Sequence, residues 1–392
     1  MLLMITVLAT LILYWIYDGY GRFLQLVVFL KRDQSPTIAT PEPGSAESSN
    51  EECWPTMTVL LTVHNEETVI RRRIENILQC DYPADCLTVL IASDGSTDST
   101  NEIVRSFSDR RVRLFESPGL GKTGTQNTAI RSIESDLIAF TDADILFDAD
   151  WCRQTARRFR DARVGAVDGR ALYEAPASDA LQASQGFYWT YELKLRLLES
   201  RLGILAVVAG ACFAIRRKLF VPMDPAIGED CIVPLDIVTQ GYQVVHEPLA
   251  ISRFDSEEDS SITLRRRIRM TLRNWQGTWT RGHLLNPLRH PGYAFALWSH
   301  KLLRWLSPLF LATATVCSLA RLIVTPSVSS ALIFAPFGGL FVLAWVGWIS
   351  ARRHLRIPGT GAAYSFLLAN LAFLIGIWLA VTGHRIHSYR NS

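Results

Sequence analysis

The sequence predicts an α/β domain on a mostly parallel sheet, set between membrane-like segments at both ends of the chain. Three observations predict it. Short runs rich in Val, Ile and Leu at residues 57–63, 87–92, 112–115 and 138–142 alternate with stretches whose apolar residues recur at helical spacing. Such alternation folds as a parallel sheet with helices on both faces. Each run ends in polar residues, as at the carboxyl edge of a sheet, where ligands bind. Residues 1–30 and the chain beyond 301 are strongly apolar, and a bilayer is spanned by about 20 such residues.

Composition narrows the classes. The 392 residues exceed one ordinary domain. Forty basic against 37 acidic residues leave a net charge of +3, which gives no reason to propose nucleic acid as a partner. Seven cysteines have no metal-type spacing, Cys80 and Cys86 being the nearest pair. They read as thiols facing a reducing cytosol.

In order, residues 1–30 form an amino-terminal transmembrane anchor without the basic start or small-residue cleavage site of a signal peptide. Lys31 and Arg32 follow, which places the downstream side in the cytoplasm. Residues 31–53, rich in Pro, Ser, Thr and Glu, read as a flexible linker. Strand 57–63 stops at His64-Asn65-Glu66-Glu67, and Ile70, Ile74, Ile77 and Leu78 then share a helical face. Asn65 suits the cap of that helix. Strand 87–92 ends in Ser93-Asp94-Gly95-Ser96-Thr97-Asp98, and strand 112–115 leads to the loop Ser117-Pro-Gly-Leu-Gly-Lys-Thr-Gly124. Further on, 148–161 reads as a helix, 164–167 as a strand, 178–201 as a long helix, and 231–239 as a helix stopped by Gly241.

The fourth strand carries the chemistry. Ile138-Ala-Phe-Thr-Asp-Ala-Asp144 is an apolar run ending in two carboxylates, Asp142 and Asp144. Such a pair suits magnesium or manganese, which take one or two protein carboxylates and complete their shell with water and substrate phosphates. A metal–diphosphate clamp and a plain acidic turn both fit that motif alone. Gly121-Lys122-Thr123 resembles the end of a phosphate-binding P-loop, but Glu116 stands where that loop needs its first Gly. No G-x-G-x-x-G follows the first strand, so a dinucleotide fold is unsupported.

Residues 262–285 differ in kind. Ile268, Leu272, Trp275 and Trp279 form an apolar stripe, with Arg265, Arg266, Arg267, Arg269, Arg273 and Arg281 around it. An amphipathic helix of this type lies at the membrane interface, among headgroups; an ordinary core helix has a similar pattern. Three membrane spans are expected near 302–324, 330–350 and 359–382, with the basic loop Arg352-Arg353-His354-Leu355-Arg356 inside and 325–330 outside.

Taken together, Val63-His-Asn-Glu-Glu67, Ser93-Asp-Gly-Ser-Thr-Asp98, Gly121-Lys122 with Asn127-Thr-Ala-Ile130, Thr141-Asp-Ala-Asp144 and Gly228-Glu-Asp230 resemble the motifs of membrane-bound family 2 glycosyltransferases, in order and spacing over about residues 57–310. The resemblance implies a GT-A (Rossmann-like) domain at 54–260, an amphipathic interfacial region at 261–300 and three transmembrane helices at 301–384. It implies an inverting transferase of the inner cell membrane that uses a nucleotide-sugar, typically a UDP-sugar, with Mg2+ or Mn2+. The acceptor would be lipid-linked or a growing glycan, in cell-surface polysaccharide or glycolipid synthesis.

By the same resemblance, Val63, His64, Glu66, Asp94, Lys122, Asp142 and Arg269 would bind the nucleotide-sugar. Asp142 and Asp144 would bind the metal, and Glu229 with Asp230 would supply the catalytic carboxylate, Asp230 as base. Processive synthases of this family carry Gln-x-x-Arg-Trp on the interfacial helix. Here the run is Arg266-Arg-Ile-Arg-Met270, without Gln or Trp. That leaves single-sugar addition at least as well supported as polymer synthesis. An inactive, transferase-like membrane scaffold is the non-enzymatic alternative.

Overall fold

The computed structural model describes residues 1–31, 53–173, 180–254, 260–353 and 357–385. Most of the expected linker and the positions His354 to Arg356 lie outside the described residues.

Four strands form the expected parallel half of the sheet: β1 (Met57–Val63), β2 (Leu87–Asp94), β3 (Val112–Ser117) and β4 (Leu137–Thr141), in the spatial order β3-β2-β1-β4. Their register pairs Val63 with Ser93, Asp94 with Ser117 and Leu61 with Thr141. The four strand exits therefore open at one edge. Along β1, Met57, Val59, Leu61 and Val63 enter one core and Leu60 the other, which is why this strand is mostly apolar, Thr58 and Thr62 apart, rather than alternating.

The helices between them are α3 (Ile70–Leu78), α4 (Thr100–Arg105) and α5 (Lys122–Ala129). Beyond β4 the sheet continues β7-β6-β8-β5. β7 (Cys212–Arg216) runs antiparallel to β4 and to β6 (Val164–Tyr173); β8 (Gln243–Phe254) is parallel to β6; β5 (Ile145–Phe147) is antiparallel to β8. Only Asp142–Asp144 links β4 to β5, although four strand spacings separate them in the sheet order. Those spacings total roughly 19 Å, whereas four residue steps reach at most about 14 Å. The sheet must curl, and the acidic pair sits where the curl closes.

The structure extends the expected strand 164–167 to Tyr173 and shortens the helix expected at 148–161 to α6 (Trp151–Arg158). The long helix α7 (Ala180–Arg201) and α8 (Glu229–Thr239) match expectation, and Gly241 follows α8 at φ 83°. Strands β5, β7 and β8 have no counterpart in the sequence reading.

The membrane-proximal part begins with α1 (Leu2–Tyr14), a π-helical turn at Trp15–Gly19 and α2 (Tyr20–Lys31), one continuous 30-residue helix. After β8 come α9 (Ser260–Thr280), α10 (Pro291–Ala296), the short α11 (Leu303–Trp305), α12 (Ser307–Val324), α13 (Val328–Arg352) and α14 (Thr360–Val381). Leu2–Lys31, α12, α13 and α14 are each long and apolar enough to cross a membrane.

Helix α9 does not present its whole stripe to a membrane, as expected from its pattern. Leu272 is fully buried, and Trp275 packs in the second core within 6.0 Å of the Trp305 ring. Trp279 alone of the stripe is half exposed. The cause is α14. A Cβ on Gly376 would lie 2.7 Å from Cβ of Thr271, so only glycine lets the two helices come this close.

Candidate active site

The loops after β1 and β2 are fastened to each other. Asn65, at φ 57°, adopts the left-handed conformation that Asn tolerates. Its side chain accepts the Thr97 amide at 2.8 Å, while its own amide donates to Ser96 Oγ at 3.1 Å. Asn65 therefore does not cap α3, whose N-cap is Val69. The amides of Glu66 and Glu67 donate to Thr100 Oγ1 and Asp98, and the Glu67 carboxylate accepts the Ser99 amide. His64 Nδ1 lies 2.8 Å from the Asp94 carbonyl. The loops that carry Val63, His64, Glu66 and Asp94 are thus brought together.

Asp94 holds the third loop. Its Oδ1 accepts the Gly121 amide at 3.1 Å and Thr125 Oγ1 at 2.7 Å. Gly95 has φ 69° and sits where a Cβ would lie 3.3 Å from the Gly119 backbone, a close approach in a left-handed conformation that suits glycine. The loop is thereby set so that Lys122, first in α5, faces the end of β4.

Lys122 Nζ lies 2.6 Å from Asp142 Oδ1 and 2.5 Å from Glu229 Oε1. Asp144 sits one residue beyond Ala143. Burial, then the Asp142 charge, push its carboxyl above the usual range, with Arg266 and Lys122 pulling the other way. Glu66 is raised too, by burial and then by Asp144 and Asp142. Three carboxylates repel one another across one cleft, and charge repulsion of this kind is relieved by a cation. Among the described residues, no three His, Cys, Asp or Glu side chains are grouped as a metal site. Two carboxylates, with substrate oxygens and water, are what Mg2+ or Mn2+ takes, so Asp142 and Asp144 fit such an ion.

Behind the acidic pair stand two residues that sequence reasoning missed. Arg73 is fully buried, with Nη2 on Thr141 Oγ1 at 2.8 Å, Nε on the Asp142 carbonyl at 3.3 Å, and its guanidinium 4.2 Å from the Phe147 ring. Burial pushes its pKa down to about 10. The Asn76 side chain bonds both the amide and the carbonyl of Phe147 at 2.9 Å. α3 thereby fixes the end of β4 and the end of β5, and with them the short segment that carries both carboxylates. The available signal was two polar residues at i and i+3 beside the apolar face of α3.

On the opposite wall, Gly228 is the N-cap of α8, and Glu229 and Asp230 form its first turn. Glu229 is buried against Lys122, whereas Asp230 is half-buried. The Asp230 side chain lies over Gly210, where a Cβ would be 3.1 Å from its own.

Helix α9 closes this side. Buried Arg273 donates to Thr123 Oγ1 and to the Ala226 carbonyl, both at 3.2 Å. Arg266, Arg269 and Arg273, at helical spacings of three and four, share a face. Arg266 is the one whose charge bears on Asp144. Arg269 is half-buried between the two.

The family model "Glycosyl transferase family 2" matches residues 58–221, the segment that holds every strand exit described above. This is a family 2 glycosyl transferase domain. The Bacillus subtilis (strain 168) protein "Probable glycosyltransferase YdaM" is 26% identical over 252 residues, 58% of this chain and 55% of that protein. The chain thus spans little more than half that relative's length. An N-acetylglucosaminyltransferase of Rhizobium meliloti (strain 1021) is 26% identical over 324 residues, 77% of this chain and 75% of that one. Among solved structures, the mannosyltransferase PcManGT from Pyrobaculum calidifontis, in complex with GDP-Man and Mn2+, matches 97% of this chain and 99% of its own at a TM-score of 0.69 and 20% identity. The transferase domain has the GT-A fold, and the likeness includes the apolar helices.

Proposed function

We propose that the protein is an inverting glycosyltransferase. It would move a sugar from a nucleotide-sugar to a lipid-linked or growing glycan acceptor at the cytoplasmic face of the inner membrane. The observation that carries this reading is the meeting of Lys122, Asp142 and Glu229 at 2.5–2.6 Å. It puts a cation, the acidic pair and the first turn of α8 in one cleft beside membrane-type helices. The Mn2+ and GDP-Man held by the structural neighbour support a metal-assisted donor site.

A divalent ion on Asp142 and Asp144 would neutralise the diphosphate and so assist its departure. The chain's own residues do the rest. Asp94 and the 93–98 loop frame the nucleoside, with Val63, His64 and Glu66 on its other side. Lys122, with Arg269 and Arg266, offers positive charge to the diphosphate. Glu229 keeps Lys122 in place and thereby orients the first turn of α8, so its part is positioning. Asp230 takes the proton from the acceptor hydroxyl. One base opposite the leaving group means inversion at the anomeric carbon. The run Arg266-Arg-Ile-Arg-Met270 lacks the Gln and Trp of processive synthases, which favours addition of one sugar over polymerisation.

The test is release of nucleoside diphosphate by purified full-length protein in lipid vesicles, across UDP-sugars and GDP-mannose, with Mn2+, Mg2+ or EDTA. Metal-dependent release from at least one donor is expected. No release from any of them overturns the reading.

A further inference from the structure

Helix α14 has the length and composition of a membrane span, yet its last turns run beside the transferase domain. Gly376 packs on Thr271 and on the Ile268 carbonyl of α9. Eight residues on, the His384 carbonyl accepts Gln276 Nε2 at 2.7 Å. The two contacts advance along both helices in the same direction, so α14 and α9 lie side by side over this length. Arg385 then reaches Asp224 of the domain at 3.4 Å. Phe373 and Ile377 pack into the core shared with α5 and α8.

The other end of α14 meets the helices that enter the membrane. Asn370 Oδ1 accepts Ser307 Oγ at 2.7 Å, at the start of α12, and Phe366 packs edge-on against Tyr17 at 5.1 Å. A Cβ on Gly347 of α13 would overlap the Thr360 carbonyl.

Length decides what this arrangement permits. Residues 360–372, the part of α14 before Phe373 enters that core, extend roughly 20 Å at 1.5 Å per residue. The hydrocarbon core is about 30 Å thick. The free part of α14 cannot cross it. On the side away from the domain, Leu371, Leu374, Trp378 and Val381, spaced at three and four residues, are 45%, 45%, 61% and 71% exposed. That is an exposed apolar stripe, with the ring of His384 6.3 Å from that of Trp378.

We propose that α14 lies in the plane of the membrane, with the stripe from Leu371 to Val381 immersed at headgroup level on the same side as the transferase domain. Its partner is the lipid surface itself. Among the described residues the chain then crosses the bilayer three times, through Leu2–Lys31, α12 and α13, and Arg385 stays with the domain. α14, rather than α9, forms the contact with lipid below the cleft, and α9 is held between α14 and the site.

Two measurements on the full-length protein, with Cys53 and Cys317 changed to Ser, test this independently of any transfer activity. In Asn391→Cys, a membrane-impermeant maleimide applied to intact cells should leave the tail unmodified, and permeabilisation should expose it. Modification in intact cells would place the tail across the membrane and overturn the proposal. In Leu374→Cys carrying a nitroxide, in phosphatidylcholine–phosphatidylglycerol vesicles, the label should report headgroup depth. A label at the bilayer centre overturns the in-plane helix, whatever the tail shows.

Discussion

Asp230 and Asp144 both belong to the candidate site but differ in what surrounds them, and the difference predicts separable effects. Asp230 is half-buried and rests on Gly210 at the start of α8. Asp230→Asn keeps its shape and removes the base, so transfer should fall roughly 10²-fold or more. Nucleoside diphosphate affinity with Mn2+, read by calorimetry, should hardly move. Transfer near the wild-type rate would put the base elsewhere. Asp144 is the strained carboxylate, raised by burial and by Asp142. A raised folded-state value favours the protonated form. Its contribution to stability is therefore fully present in acid and lost as pH rises through that value. Asn cannot ionise. Without metal, Asp144→Asn should melt above wild type at neutral pH, and the gap should close once pH falls below the ordinary carboxylate value of about 4. The same variant should lose Mn2+-dependent nucleotide binding. Equal melting curves at neutral pH would show that no such repulsion exists.

At the scale of elements, α9 joins the cleft to the membrane part, and two of its arginines should behave differently. Arg273 is buried on Thr123 and Ala226. Arg273→Ala should destabilise the protein by about 1–3 kcal/mol, since it leaves the buried Ala226 carbonyl without that donor. Arg269→Ala should lower turnover with a smaller change in melting temperature. Similar losses of stability in both would mean that α9 is only structural. Legibility in the sequence follows the same elements. The parallel strands were readable because burial on both faces makes them continuous apolar runs, and their loops because Asp94, Lys122, Asp142, Asp144 and Asp230 carry distinctive chemistry at fixed spacing. β8 was not readable: His246, Glu247, Pro248 and Arg253 interrupt it. Their polar groups find partners only in the fold, His246 in Asp168, Glu247 in Arg158 and Arg253 in Asp148. β5 is three residues long and exists because β8 is there to pair with it. The stripe on α9 was misread for a related reason, since a periodic pattern marks a buried face without saying whether protein or lipid covers it.

On the scale of the whole molecule, the transferase domain and the membrane-proximal helices are joined by buried charge as well as by apolar packing. Glu192 of α7 accepts from Arg196 at 3.2 Å, from His300 Nε2 at 2.9 Å and from Arg304 at 2.8 Å. The other ring nitrogen of His300 faces Glu199 at 2.8 Å, and Glu199 accepts Tyr20 of α2 at 2.7 Å. Arg196 continues the chain to Asp168 on β6, whose Oδ1 accepts the Ala209 amide at 2.6 Å, next to the Gly210 that underlies Asp230. Burial alone would raise the Glu192 carboxyl, but His300, Lys301 and Arg196 outweigh it and hold it well below the usual range. The stability it contributes is thus present at neutral pH and is lost as pH falls through the carboxylate range. Glu192→Gln removes the shared counter-charge and leaves Arg196 and Arg304 buried without it, a change that costs about 3–5 kcal/mol when a buried pair is broken. The variant should therefore unfold at lower temperature in detergent, with Mn2+-dependent nucleotide binding and the fluorescence of the membrane-proximal tryptophans lost in one transition. That coincidence is the informative part, because it requires the cleft and the membrane helices to unfold as a unit through α7. Two separate transitions, with only the membrane-proximal one displaced, would mean that the domain is stable without this network and that α7 does not link the site to the membrane.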